Sequence, residues 1–417
     1  MRWVWDAKES RRPRERQANW ASYLCYRHVS PMFSRRTDWQ LTPNRLTQAL
    51  AEVRASGAQL FDLTISNPTL VGLRYDAETI LNSFRNPDSL RYDPQPKGLL
   101  SARQEIARYY QRDHQVSLDP EQIVLTTSTS EAYSYVFRLL CNAGDEILVP
   151  KPSYPLFDFL GDLQDVRLVS YSLEYADGWF IDFPSLVRKI TPQTRAILLV
   201  HPNNPTGSYL REEEIQRLND LCRGRNLALI VDEVFLDFPF AGKAAKSFAG
   251  NLETLTFTLS GLSKISALPQ MKIAWMVTSG PATLTTPALE RLEVIADTFL
   301  SLSAPAQHAL PVLLEQRHSI QPQILQRVHQ NRASLQGSFA TQTACNLLHA
   351  DAGWAAVLRT STGISDEDLA IKLLREHHVL VHPGHFYDFA SDGFIVLSLL
   401  TPLPEFREGV QRLLSMF

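Results

Sequence analysis

From about residue 122 to residue 277, short apolar runs alternate with stretches of helical period. Ile123–Thr126 reads as a strand, residues 131–140 as a helix and 146–149 as a second strand. Residues 196–200 form an apolar run bounded by polar positions, 211–225 an amphipathic helix and 227–232 a buried strand. The runs at 254–259 and 273–277 complete the series. Short strands that are apolar throughout, alternating with helices, belong to a parallel α/β sheet covered on both faces. In such sheets ligands gather at the carboxyl ends of the strands. Beyond about residue 302 the pattern becomes mainly helical, with strands expected at 351–359 and 394–399. That suits a smaller α+β domain. Internal repeats and low-complexity tracts are absent.

Composition narrows the class. The chain has 417 residues, 44% apolar and 20% charged, enough for two or three domains with large cores. A formal charge of −3 implies no general affinity for nucleic acid. No apolar run approaches a membrane span, so a soluble protein is expected. Cys25, Cys141, Cys222 and Cys345 are scattered and form no C-x-x-C pair. No metal site or disulfide framework is expected, and a reducing cytoplasm fits. Residues 1–31 mix Arg2, Arg11, Arg12, Arg14 and Arg16 with Asp6, Glu9 and Glu15, without amphipathic period or apolar h-region. This is neither a secretory signal nor an acid-poor transit peptide. It reads as a poorly ordered extension, with Met32 as an alternative start.

Chemistry-bearing residues punctuate the ends of the runs. A lone lysine is most often a solvated surface group, but Lys264 follows an apolar strand and a Ser-Gly-Leu-Ser turn. Enclosed there, its amine would have a lowered pKa and could form a Schiff base with an aldehyde. Asp232 closes the run 227–231, where a carboxylate faces the strand-end crevice; taken singly it would read as a cap or an ion pair. Asn204-Pro205-Thr206-Gly207 is a turn sequence after an apolar strand. Thr127-Ser128-Thr129-Ser130 joins a strand to a helix, where free N–H groups and hydroxyls suit a phosphate. Tyr154, within Lys151-Pro152-Ser153-Tyr154-Pro155, follows the strand at 146–149.

An amide in a turn, a carboxylate ending a strand, a lysine and then Lys272 come in that order, and they are the set of groups needed to hold pyridoxal phosphate. From roughly Leu60 to its C terminus the chain resembles the class I/II aminotransferases, which are fold type I pyridoxal-phosphate enzymes. The resemblance implies a large α/β domain, mostly parallel and helix-covered on both faces, plus a smaller α+β domain. Its boundaries would be 32–75 as N-terminal arm, 76–301 as cofactor domain and 302–417 as small domain. The arm would pack with the C-terminal part, leaving the small domain discontinuous.

The resemblance also implies roles. Lys264 would carry the cofactor and later shuttle the substrate's Cα proton. Asp232 would pair with the pyridine nitrogen, making the ring an electron sink. Asn204 would bond the ring hydroxyl and reach the substrate, and Tyr154 would stack on the ring. Ser128, Thr129, Ser130 and Ser263 (or Ser260) would cradle the phosphate with Lys272. Asn67, in Ser66-Asn67-Pro68-Thr69, would reach the substrate from the small domain. Tyr92 would cross to a neighbouring subunit and donate to its cofactor phosphate, giving a homodimer with shared sites.

Four positions depart from the family pattern. Gly261 stands where a serine is frequent. Lys272 replaces an arginine, supplying charge without bidentate geometry. Phe235 replaces a tyrosine whose phenol meets the cofactor's ring oxygen. Val396 stands where an arginine grips the substrate's α-carboxylate, with Arg36 and His382 as conceivable substitutes. The expected activity is ping-pong transfer of an amino group between an amino acid or amine and a 2-oxo acid. A lyase, racemase or cyclase of the same fold is the alternative, and a non-catalytic aminotransferase-like protein the third. The arm before residue 60 has no room for a helix-turn-helix domain, and no G-x-G-x-x-G follows a strand, which disfavours a nicotinamide dehydrogenase.

Overall fold

A computed structural model describes residues 32–242, 244–339, 344–361 and 363–417. The expected N-terminal extension, with Cys25, lies outside these. In chain order the strands are β1 (Phe61–Asp62), β2 (Ile123–Thr126), β3 (Glu146–Lys151), β4 (Arg167–Tyr175), β5 (Trp179–Ile181), β6 (Thr194–Val200) and β7 (Ala228–Asp232). They continue with β8 (Thr256–Gly261), β9 (Ala274–Ser279), β10 (Cys345–Leu347), β11 (Ala355–Thr360), β12 (Val379–Leu380), β13 (His382–Pro383) and β14 (Phe394–Ser398).

Eight strands form one sheet in the order β2-β9-β8-β7-β6-β3-β4-β5. Its centre, from β8 through β7, β6 and β3 to β4, is parallel. β9 runs antiparallel between β2 and β8, and β5 antiparallel at the far edge. The central strands are apolar on both faces because both faces are covered. Along β6, Ala196, Leu198 and Val200 join one core with helix Thr129–Leu140, while Ile197 and Leu199 join another with helix Glu212–Arg225. Alternate residues thus enter opposite layers.

The smaller layer has an antiparallel sheet, β10-β11-β14-β13, and a parallel pair, β1-β12. β1 aligns Phe61 with Val379 and Asp62 with Leu380. Helix Arg45–Ala55 buries Leu46, Ala49 and Val53, spaced as one helical face, in the core that also holds Leu369 and Leu373 of helix Asp366–His377. Residues near the two ends of the chain therefore share one hydrophobic core.

One expected strand is shorter than its pattern. Residues 351–354 form no strand, only an isolated antiparallel bridge between Ala352 and Pro239; β11 begins at Ala355. The N–H groups of Asp351 and Ala352 both donate to the Gly207 carbonyl at 2.9 Å, and the Asp351 carboxylate accepts the Tyr209 N–H at 3.1 Å. The Asn-Pro-Thr-Gly turn takes the backbone bonds that a strand would need. Among the described residues no helix is long and apolar enough to cross a membrane, and no His/Cys/Asp/Glu group is arranged to hold a metal ion.

Candidate active site

Val200, Asp232 and Gly261, the last residues of the parallel neighbours β6, β7 and β8, open onto one cavity of about 560 Å³. Its opposite wall comes from the smaller layer, including Trp354, Phe386 and Val396. Ser128, Thr129, Ser130, Tyr154, Asn204, Ser263 and Lys264 also line it. Eight residues singled out from scattered stretches, counting Asp232, thus meet in one place.

Asp232 is buried at its strand end. Its Oδ2 accepts the Tyr133 phenol proton at 2.9 Å and its Oδ1 the Val234 N–H at 3.1 Å. Burial raises its pKa; the two hydrogen bonds and the attraction of Lys264 work in the opposite sense. Lys264 lies on the helical turn Leu262–Ile265 directly after β8. Gly261 makes that turn fit: a Cβ there would stand 2.8 Å from the Ala274 Cβ on neighbouring β9. Burial pushes the Lys264 amine down to about 8, with Asp232 opposing the shift. Its Nζ lies 5.0 Å from the Trp354 ring centre and 5.5 Å from that of Phe235.

Ser128 is the N-cap of helix Thr129–Leu140, its Oγ accepting the Glu131 N–H at 3.2 Å. Thr127 donates both its N–H and its hydroxyl to Glu131 Oε2, at 2.7 and 3.0 Å. Thr129 and Ser130 line the cavity, and first-turn N–H groups have no acceptor within their own helix. A helix start of this kind suits an anion.

The Asn204 turn is held by its neighbour. Asn203 Nδ2 donates to the Pro152 carbonyl at 3.1 Å and to Thr206 Oγ1 at 2.8 Å. The bonds preceding Pro152, Pro202 and Pro205 are all cis. Gly207 has φ +68°, and a Cβ on it would lie 2.4 Å from the Ala352 carbonyl oxygen. Tyr154 is half-buried, its ring edge-on to Phe157 at 5.9 Å. Burial and the nearby Asp232 charge raise its phenol to about 12.

Asn67, Lys272 and Tyr92 do not line this cavity. Asn67 spends its side-chain oxygen on the Thr69 N–H (3.0 Å) and hydroxyl (2.8 Å), capping a short helical turn, and Ser66 lines the wall instead. Lys272 is exposed, in left-handed backbone at φ +54°. Tyr92 is 83% exposed, in a surface groove with Leu125, Tyr135 and Leu300. Of the two substitutes for the missing arginine, Arg36 is ion-paired with Asp165 away from the cavity. His382 does line it, with Nδ1 3.1 Å from the Tyr387 hydroxyl.

Tyr133, Trp354 and Tyr387 escape the sequence reading because each looks like an ordinary core aromatic. Thr47, Leu50 and Arg54 reach the cavity from helix Arg45–Ala55, and their i, i+3, i+7 spacing is the one signal that could have grouped them.

Residues 76–413 match the family described as aminotransferase class I and II. The chain belongs to that family. It is 32% identical over 265 residues to the glutamate-pyruvate aminotransferase AlaA of Escherichia coli K12, a match covering 63% of this chain and 65% of that protein, just under two thirds of its length. With AlaA of Haemophilus influenzae the identity is 28% over 365 residues, covering 86% and 90%. The crystal structure of an aminotransferase from Escherichia coli superimposes with a TM-score of 0.79 at 26% identity, over 88% of this chain and 93% of that one.

Proposed function

We propose that this protein is a pyridoxal-phosphate-dependent aminotransferase that moves an amino group between an amino acid or amine and a 2-oxo acid by a ping-pong mechanism. The observation that carries this reading is the meeting of the Lys264 amine, the buried Asp232 carboxylate and the helix terminus at Thr129 and Ser130 in one cavity. An amine to hold the aldehyde, an acid for the ring nitrogen and an anion site for the phosphate are the three demands of this cofactor, and all are met.

When bound, pyridoxal phosphate supplies an electron sink that weakens the bonds at the substrate's reacting carbon. Asp232 holds a proton at the ring nitrogen, and Tyr133 and the Val234 N–H fix its orientation. Thr129 and Ser130 bind the phosphate through their N–H groups, with hydroxyls of Ser128 and Ser263 beside them. Asn204 and Tyr154 orient the ring. Lys264 Nζ anchors the cofactor and, once free, takes and returns the substrate's proton.

The finer parts of the reading have their own support. Tyr92 is exposed in a groove with Leu125, Tyr135, Ala296 and Leu300, which suits a homodimer in which Tyr92 completes the other subunit's phosphate site. Lys272, exposed on the turn after Lys264, would add its charge to the phosphate site. Free thiols at Cys141, Cys222 and Cys345 suit the cytoplasm.

The test is direct. Protein incubated with pyridoxal phosphate turns yellow, borohydride fixes the cofactor to Lys264, and a suitable amino donor bleaches the band. Protein that stays colourless, or an adduct on another lysine, overturns the reading.

A further inference from the structure

Val396 is 2% exposed and sits in the small-layer wall of the cavity. In the sheet it stands opposite Val357 on β11 and His382 on β13. His382 shares a hydrogen bond with the Tyr387 hydroxyl, and burial lowers its ring to about 4. The wall around Val396 therefore presents neutral imidazole, phenol and hydrocarbon, with Phe386 and Leu380 beside them. None of these carries a positive charge to pair with a carboxylate, and burying an anion without a countercharge is costly.

The remaining charges point the same way. Among the described residues lining the cavity, the cations are Lys264 and Arg54 and the anions Asp232 and Asp62. Lys264 and Asp232 belong to the cofactor. Asp62 lies in the small layer, its carboxylate accepting the Thr64 N–H and hydroxyl at 2.8 and 2.6 Å. The chain just after it runs along β14, the Ser398 N–H donating to the Leu63 carbonyl at 2.6 Å. The small-layer wall thus contributes an acid group to the cavity. Arg54 is exposed on the last turn of its helix, roughly 12 Å along the axis from Leu46 at 1.5 Å per residue. It lines the cavity from an exposed position.

We infer that the amino donor is a primary amine whose reacting carbon carries no charged group in the place of an amino acid's carboxylate. This rests on the aminotransferase reading above and specifies its donor. Leu46, Leu50, Phe235 and Trp354 supply the apolar surface for the rest of the molecule.

Matched donors test it on the native holoenzyme: phenethylamine, phenylalaninamide and phenylalanine, followed by single-turnover conversion of bound pyridoxal to pyridoxamine phosphate. The amine and the amide are expected to react about 100-fold faster than the amino acid at equal concentration, the size of a lost charged hydrogen bond. Equilibrium binding of 3-phenylpropanamide against 3-phenylpropionate, which cannot react, is expected to show the same order. Val396→Arg is expected to narrow or reverse both preferences. Faster reaction of phenylalanine, or tighter binding of the propionate, overturns the inference while leaving the aminotransferase reading intact. If Arg54→Ala then abolishes that preference, the anchor is Arg54. No cofactor-dependent change with any donor overturns the parent reading and this inference with it.

Discussion

The Tyr133 phenol donates to Asp232 Oδ2 across 2.9 Å, at the end of the central strand and inside the core of the large layer. Helix Thr129–Leu140 thereby does two things for the site. Its first turn offers N–H groups to an anion, and its next turn steadies the acid that faces the ring nitrogen.

Removing that bond is expected to be felt in chemistry more than in folding. Tyr133→Phe keeps the buried ring but leaves Asp232 with the Val234 N–H alone. One hydrogen bond to a charged group corresponds to about 1.5 kcal/mol, so kcat/KM should fall roughly tenfold. Steady-state kinetics and pyridoxal phosphate affinity measure it; an unchanged kcat/KM would remove Tyr133 from the machinery.

Lys264 makes a pH prediction. Its amine titrates near 8 rather than 10.5, so the neutral nucleophile appears as pH rises through about 8. In cofactor-free protein, the yield of borohydride-trapped pyridoxal adduct after a short pulse should rise with that midpoint. Asp232→Asn removes the attraction that holds the proton on, and should move the midpoint lower.

Gly207→Ala places a methyl group 2.4 Å from the Ala352 carbonyl in left-handed backbone. The turn and the 351–354 segment must part. A loss of about 1–3 kcal/mol is expected by denaturant unfolding, together with weaker cofactor binding through displaced Asn204.

Glu233, next to Asp232, is buried and pushed up to about 7 despite bonds from the Ser247 hydroxyl and the Phe248 N–H. The folded protein keeps this proton where the unfolded chain, near 4.5, has lost it. The stabilising contribution is full below 4.5 and disappears as pH rises through 7. Glu233→Gln can bond both partners without charge. Its stability relative to the parent should therefore grow between pH 5 and pH 8, by about 3 kcal/mol at most. Chemical denaturation at the two pH values decides it.

Phe235 lies beside the Lys264 amine without a hydroxyl to offer. The protonated Lys264–cofactor link should therefore persist to higher pH than where a phenol bonds the ring oxygen, with a midpoint above about 7. Phe235→Tyr should lower the midpoint by about one unit in an absorbance titration.

The legible part of the molecule is the part whose signal is local. β2, β3 and β6 to β9 stand out because each holds a run of mainly apolar residues, which follows from burial on both faces. β4 escaped notice because Ser170, Ser172 and Glu174 break its run near a half-exposed edge. β1, β12 and β13 are two residues each; their partners, not their composition, make them strands. In the site, Lys264, Asp232, Asn204 and the Ser128 turn could be picked out because each carries unusual chemistry at the end of a run. Asn67 illustrates the opposite: Asn-Pro-Thr looked functional, but the side chain caps its own backbone. Trp354 and Tyr387 became visible only when tertiary packing brought the small layer over the strand ends.

The pairing of Phe61 with Val379 sets an order of assembly during synthesis. Every strand of the large sheet leaves the ribosome before the partner of β1 has been made. A nascent chain can therefore own its lysine, its acid and its anion-binding turn while one side of the chamber still stands open to water. The reacting centre becomes sealed only when the closing stretch of polypeptide arrives.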